Sequence, residues 1–179
     1  MKLLFPLAIV VFLVSTGIGL LFLTANNETS QTSLIILSDN GDFTLHNAKG
    51  DVHLSDFKKK IVLIYFGYAS CPDICPTSLA FMGNALNKLR EDELKKVQVL
   101  FVSVDPERDT VKKLADYTAY FHPNILGITG SKQEIDKVVK QYGASYKKVA
   151  SDSAIDYIVD HTASFYRNVS SLMPVRYVY

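Results

Sequence analysis

The chain has 179 residues and a net charge of +1, with 19 Lys and Arg against 18 Asp and Glu. The two signs are interleaved and no basic block carries aromatic residues, which argues against nucleic acid as a partner. Only two cysteines are present, so thiols are not spent on ordinary core packing.

Residues 3–25 are an almost unbroken apolar run preceded by a single charge, Lys2. At about 1.5 Å per residue such a run crosses the roughly 30 Å hydrocarbon core of a bilayer. A cleaved signal peptide has a shorter apolar core, about 7–15 residues, ending at a small-x-small site. The run here is longer and Thr24-Ala25-Asn26 offers no Ala-x-Ala, so an uncleaved transmembrane anchor is expected over 1–25. Lys2 points to an N-inside orientation with the remainder on the extracytoplasmic side. No basic, serine-rich transit stretch precedes the run, which favours a single-pass protein of the bacterial cytoplasmic membrane. Residues 26–33 (NNETSQTS) are polar and turn-rich, as a tether would be. Residues 34–179 are enough for one domain with its own core.

Residues 34–37 and 43–46 flank Asn40-Gly41, a hairpin-turn signal, so an N-terminal β-hairpin is expected there. Residues 61–66 (IVLIYF) form a continuous β-branched and aromatic run, the pattern of a strand buried on both faces. Residues 97–104 repeat the pattern. Between them Leu79, Met82, Leu86 and Leu89 recur at helical spacing, which predicts a right-handed parallel crossover. Residues 110–121 read as a second helix, with Asp109 as its N-cap and Pro123 beyond its end. Residues 125–128 form a short strand. Ser131-Lys132-Gln133-Glu134 has the form of a capping box, opening a helix that Gly143 closes. Residues 157–159 and 163–166 are short strands around Asp160 and His161. The expected fold is α/β: a thioredoxin-like mixed sheet with flanking helices. In such sheets sites gather beyond the carboxyl ends of the parallel strands, which would make Cys71 and Asp105 neighbours.

Cys71 and Cys75 stand in Cys71-Pro72-Asp73-Ile74-Cys75-Pro76, directly after the first buried strand. Near a helix N-terminus the macrodipole and free N–H groups stabilise a thiolate, and Cys75, in the first turn, is the expected beneficiary. A thiolate serves equally as nucleophile and as metal ligand, so the pair reads as a redox pair, a metal site, or both. A structural disulfide is the plain alternative in an oxidising compartment. Closing so small a loop contributes only on the order of 2 kcal/mol, which makes stability a weak reason for the spacing. Four histidines compete to complete a metal shell. His46 and His53 read as hairpin or surface residues, and His122 as a partner of the last carbonyls of its helix. His161 is the candidate ligand, with Asp156 and Asp160 as carboxylates beside it, and an ordinary loop position is its alternative. Met82 reads as core. Two sulfurs and one imidazole suit copper better than structural zinc, which takes four ligands.

Three motifs in order, Tyr65-Phe66-Gly67-Tyr68 with Cys71-Pro72-Asp73-Ile74-Cys75-Pro76, then 102–110 (VSVDPERDT), then 156–162 (DYIVDHT), resemble the Sco/SenC family of membrane-anchored copper proteins. The resemblance covers about residues 33–166. It implies a thioredoxin-like domain binding Cu(I) or Cu(II) through Cys71, Cys75 and His161. It also implies service as a metallochaperone or thiol reductase for the CuA centre of cytochrome c oxidase. Expected partners are then oxidase subunit II or another copper acceptor, a copper donor protein, and the membrane through the N-terminal helix. Asp105 and Arg108 match the family's Asp-Pro-x-Arg-Asp motif; a local role, capping the next helix and pairing with each other, is expected before direct metal contact. After Tyr166 the pattern departs: a family member continues through an Asp-x-x-Gly turn, a strand and a helix, whereas 167–174 (RNVSSLMP) leads to the end at Tyr179. The alternative function is a thiol-disulfide oxidoreductase, peroxide-handling enzyme or redox sensor with no metal role.

Overall fold

The computed structural model of the chain describes residues 35–37, 41–151 and 156–169. The expected anchor (1–25), the tether (26–33) and the tail beyond 169 lie outside the described residues. Among the described residues no helix is long and apolar enough to cross a membrane.

A five-stranded sheet forms the centre. β4 (Ile61–Gly67) and β5 (Val97–Ser103) are the two apolar runs, and they pair in parallel along their whole length. β6 (Ile125–Ile128) extends the sheet in parallel beyond β5. On the other side of β4 lies β9 (Phe165–Val169), antiparallel to it, and β1 (Ile35–Leu37) pairs in parallel with β9 at the edge. The order is therefore β1-β9-β4-β5-β6.

Successive residues of β4 face opposite sides, and its aromatic pair shows what covers each. The Tyr65 ring meets Phe101 and Phe165 and its hydroxyl donates to Ser78, whereas Phe66 meets Tyr142 and Tyr166. The first face carries α1 (Ile74–Leu86) and α3 (Val111–Phe121), as two parallel crossovers of one hand require. They touch closely: a Cβ on Gly83 would sit 2.7 Å from the Phe121 carbonyl oxygen. The second face receives the end of α4 (Lys132–Gln141) and its cap Tyr142. Both faces being covered explains why β4 and the middle of β5, residues 99–102, are apolar rather than alternating.

The expected elements are present with five differences. Residues 34–37 and 43–46 do not form a hairpin together. β2 (Thr44–Asn47) instead pairs with β3 (Gly50–His53) across Ala48-Lys49, with Asn47 Oδ1 accepting from Lys49 N at 2.7 Å and Gly50 at φ +127°. β1 is drawn to the open edge of β9, where its backbone groups find a ladder. The helix after Cys75 ends at Leu86, not Leu89, and a short helix α2 (Glu91–Leu94) precedes β5. Thr110, not Asp109, caps α3, its side chain accepting from Lys113 N at 3.2 Å. Finally β7 (Tyr146–Ala150), absent from the sequence reading because its residues are mostly exposed, forms an antiparallel ribbon with β8 (Tyr157–His161). The capping box at Ser131 and Glu134 forms as expected.

Candidate metal centre

The topology brings the ends of three elements to one place. β4 delivers the cysteine loop from its carboxyl end, and β9, running the opposite way, begins at that same end, with Phe165 opposite Tyr65. Only residues 162–164 separate β8 from β9, so His161 is set down beside the loop. The two sulfurs and a ring nitrogen of His161 all lie within 4.8 Å of one another. Cys75 Sγ is 3.2 Å from His161 Nε2, and both cysteines are free thiols. Among the described residues no carboxylate and no other histidine joins this group.

Each donor is held from behind. Cys75 is the second residue of α1 and fully buried, its sulfur lying over the end of β4. A Cβ on Gly67 would stand 2.8 Å from that sulfur and 2.9 Å from the Phe101 ring, so only glycine leaves the room. The imidazole is packed edge-to-face on Tyr65 and Tyr68, with centroid separations of 6.0 and 5.9 Å. Its Nδ1 lies 3.4 Å from the Thr162 carbonyl oxygen, and its Nε2 faces the sulfurs. A cleft of about 350 Å³, lined by Ser145, Tyr146, Lys147, Asp160, His161 and Thr162, opens at this histidine. A larger cavity of about 510 Å³, lined by residues including Pro106, Glu107 and Lys132, contains none of the three donors.

The thiols divide their roles in the reverse of the sequence expectation. Cys71, half-buried ahead of the helix, is pushed down to about 3 by the hydrogen bond from the Cys75 thiol, against the effect of burial, with further help from His161 and the backbone N–H groups of Asp73 and Cys75. Cys75 is pushed up, first by that same hydrogen bond and then by burial. The helix N-terminus does stabilise a thiolate, but its free N–H groups point back at the residue before the helix. Cys75 points into the core.

The motif at 105–109 holds the site together rather than entering it. Asp105, fully buried, pairs with Arg108 as expected and also accepts from the Tyr157 hydroxyl at 2.7 Å. Arg108 donates to the Tyr157 carbonyl at 2.9 Å and lies 3.7 Å above its ring. The Tyr68 hydroxyl accepts from Val159 N at 3.2 Å. The β7–β8 ribbon that carries His161 is thus fastened at Tyr157 and Val159. The acid that reaches the cysteine loop is Asp109, whose carboxylate accepts from Ala69 N at 2.7 Å. Sequence reasoning gave Gly67, Tyr68 and Tyr157 no role beyond their place in the motifs and took Asp109 for a helix cap. The signal for Tyr157 was its place four residues before His161 on the same side of an alternating strand.

The remaining histidines have local partners. His46 Nδ1 is 2.8 Å from Asp51 Oδ1, and His53 Nδ1 is 2.8 Å from Thr44 Oγ1. His122 accepts from Asn124 N at 2.9 Å instead of facing the helix carbonyls, and burial pushes it below the ordinary histidine range. Asp160 is exposed, stands across from Lys147 and lines the same cleft as His161, outside the group of three donors. Asp156 is exposed at φ +59° where the ribbon begins. Met82 packs against the core.

The SCO1/SenC family profile matches residues 37–168, well over half of the chain. The bovine mitochondrial SCO2 homologue is 44% identical over 128 residues, covering 70% of this chain and 48% of the relative. The chain thus spans about half the length of such mitochondrial relatives. The SCO2-like protein of Rickettsia conorii is 36% identical over 168 residues, covering 88% of this chain and 82% of its own. Among solved structures, Bradyrhizobium japonicum ScoI with copper bound is 41% identical with a TM-score of 0.66, over 71% of this chain and 80% of that one. Yeast Sco1 with copper bound is 35% identical with a TM-score of 0.65, over 75% of each. The chain belongs to the SCO1/SenC family.

Proposed function

We propose that this member of the SCO1/SenC family carries copper on Cys71, Cys75 and His161 and hands it to an acceptor in the assembly of the CuA centre of cytochrome c oxidase. The observation that carries the reading is the convergence of two sulfurs and one imidazole nitrogen within 4.8 Å. Soft thiolates with a single imidazole suit Cu(I), and three protein donors leave a side from which an acceptor's ligands can approach. Copper-bound relatives of the same fold support the choice of metal. Residues 1–25 would tether the domain to the membrane on its extracytoplasmic side, where the acceptor and a copper donor protein are met.

Titration of the reduced chain with copper tests the reading. One equivalent is expected to bind, with sulfur-to-copper charge-transfer absorption for Cu(II), and Cys71→Ala, Cys75→Ala and His161→Ala should each weaken it. Oxidation to the Cys71–Cys75 disulfide should abolish Cu(I) binding. Undiminished affinity in Cys71→Ala would sink the assignment.

A second reading rests on the ionised, half-exposed Cys71 beside a protonated Cys75, the arrangement of a dithiol that reduces a partner's disulfide. Two electrons would pass to the partner as Cys71 and Cys75 close their own disulfide. Turnover that survives His161→Ala favours that activity, because exchange does not use the imidazole.

A further inference from the structure

We infer that Asp109 is a positioning residue for the site: it sets where Cys71 stands by holding the backbone of the loop before it, without touching the sulfur. The inference rests on the reading of Cys71, Cys75 and His161 as the metal site. Asp109 is 1% exposed, and a carboxylate that deep must have its lone pairs occupied. Its Oδ2 accepts from Ala69 N and from Ser103 Oγ, both at 2.7 Å. Its Oδ1 accepts from Lys113 Nζ at 2.9 Å. The same ammonium donates to Ser70 Oγ at 2.9 Å and to the Arg108 carbonyl at 3.1 Å. The two residues immediately before Cys71 are therefore tied, one by its amide and one by its hydroxyl, to one ion pair whose carboxylate is buried and whose lysine reaches the surface.

Helix capping does not account for this acid, since Thr110 caps α3. Its partners come instead from the end of β5, the cysteine loop and the first turn of α3. The two acids of the motif thus divide the site. Asp105 fastens the histidine ribbon through Tyr157, and Asp109 fastens the cysteine loop through Ala69. Cys71 is the half-buried member of the dithiol, packed against the margin of the core where Cys75 is enclosed by it, so its distance from the other two donors depends on this clamp.

The test compares Asp109→Ala, Asp109→Asn and Lys113→Met in the full chain by Cu(I) competition, thermal unfolding and amide hydrogen exchange. Asn keeps an oxygen for Ala69 N and loses the ion pair, so it serves as the conservative rescue. In Asp109→Ala, Cu(I) affinity should fall about tenfold or more, as when outer partners of ligands are removed. Amides 69–71 should exchange faster in the metal-free protein, and Asp109→Asn should restore most of both. Lys113→Met should loosen Ser70 and Cys71 and weaken copper while Ala69 stays protected, which keeps the inference testable should Asp109→Ala not fold. Equal losses in the Ala and Asn variants with loop amides still protected would overturn it, as would unchanged affinity and exchange in Lys113→Met. Failure of the natural chain to bind copper would instead overturn the functional reading, and the metal-free exchange data would still decide on the clamp.

Discussion

Cys75 Sγ and His161 Nε2 stand 3.2 Å apart although 86 positions separate them in the chain. The contact exists because β9 runs antiparallel to β4, so the segment feeding β9 arrives where β4 ends. Had β9 paired in parallel, its start would lie at the other end of the sheet and the imidazole with it.

Gly67→Ala is expected to disturb the site from below. The new methyl would meet Cys75 Sγ at 2.8 Å and the Phe101 ring at 2.9 Å, overpacking that costs about 1–3 kcal/mol. Denaturant unfolding should show the loss, and copper titration should show weaker binding. A variant with wild-type stability and affinity would refute the account of this glycine.

Tyr157→Phe removes the hydroxyl that donates to Asp105 while keeping the ring under Arg108. Leaving a buried acceptor with one partner fewer costs about 1–3 kcal/mol. Faster exchange of the β8 amides and reduced copper affinity should follow, and Arg108→Lys, which loses both the planar stack and the fork, should act in the same direction. Unaltered exchange at Val159 would contradict the fastening role.

The dithiol should couple stability to pH. In the unfolded chain both thiols titrate near 9.0, whereas folded Cys71 is pushed down to about 3 and Cys75 is pushed up. Between about 3 and 9 the unfolded chain binds the extra proton at Cys71, so that contribution is complete above 9 and fades as pH falls toward 3. Cys75 has the opposite sign: its contribution is whole below 9 and declines as pH rises further. Denaturation of the reduced protein across pH should show stability climbing from acid toward 9 and then turning over, a dependence missing from the disulfide form. Identical profiles in the two forms would rule this coupling out.

Copper binding should be indifferent to His46 and His53. Their rings are engaged with Asp51 and Thr44, away from the three donors. His46→Ala and His53→Ala are therefore expected to retain the affinity of the natural chain, and a marked loss in either would mean that the donor set is wrong.

The central strands, the capping box and the cysteine pair were legible because each is a local pattern: apolar runs, Ser-x-x-Glu, two thiols four apart. The β2–β3 ribbon was not legible, because Asn40-Gly41 is a strong turn signal and the competing Asn47 to Gly50 turn wins once β1 is taken up by the sheet edge. β7 was invisible because its lysines and exposed positions carry no core pattern. Which cysteine ionises also lay beyond local reading, since it depends first on the hydrogen bond from the buried Cys75 thiol and only then on where the N–H groups of Asp73 and Cys75 point.

By itself, the order of residues determined the chemistry on offer: two soft sulfurs after a buried strand, one late histidine, and an acidic motif between them. Tertiary structure decided the geometry. It alone set the direction of β9, the space above Gly67 and the partners of Asp105 and Asp109. The reason is physical: strand pairing and close packing act between residues distant in the chain, and no short window of sequence contains both sides of such a contact.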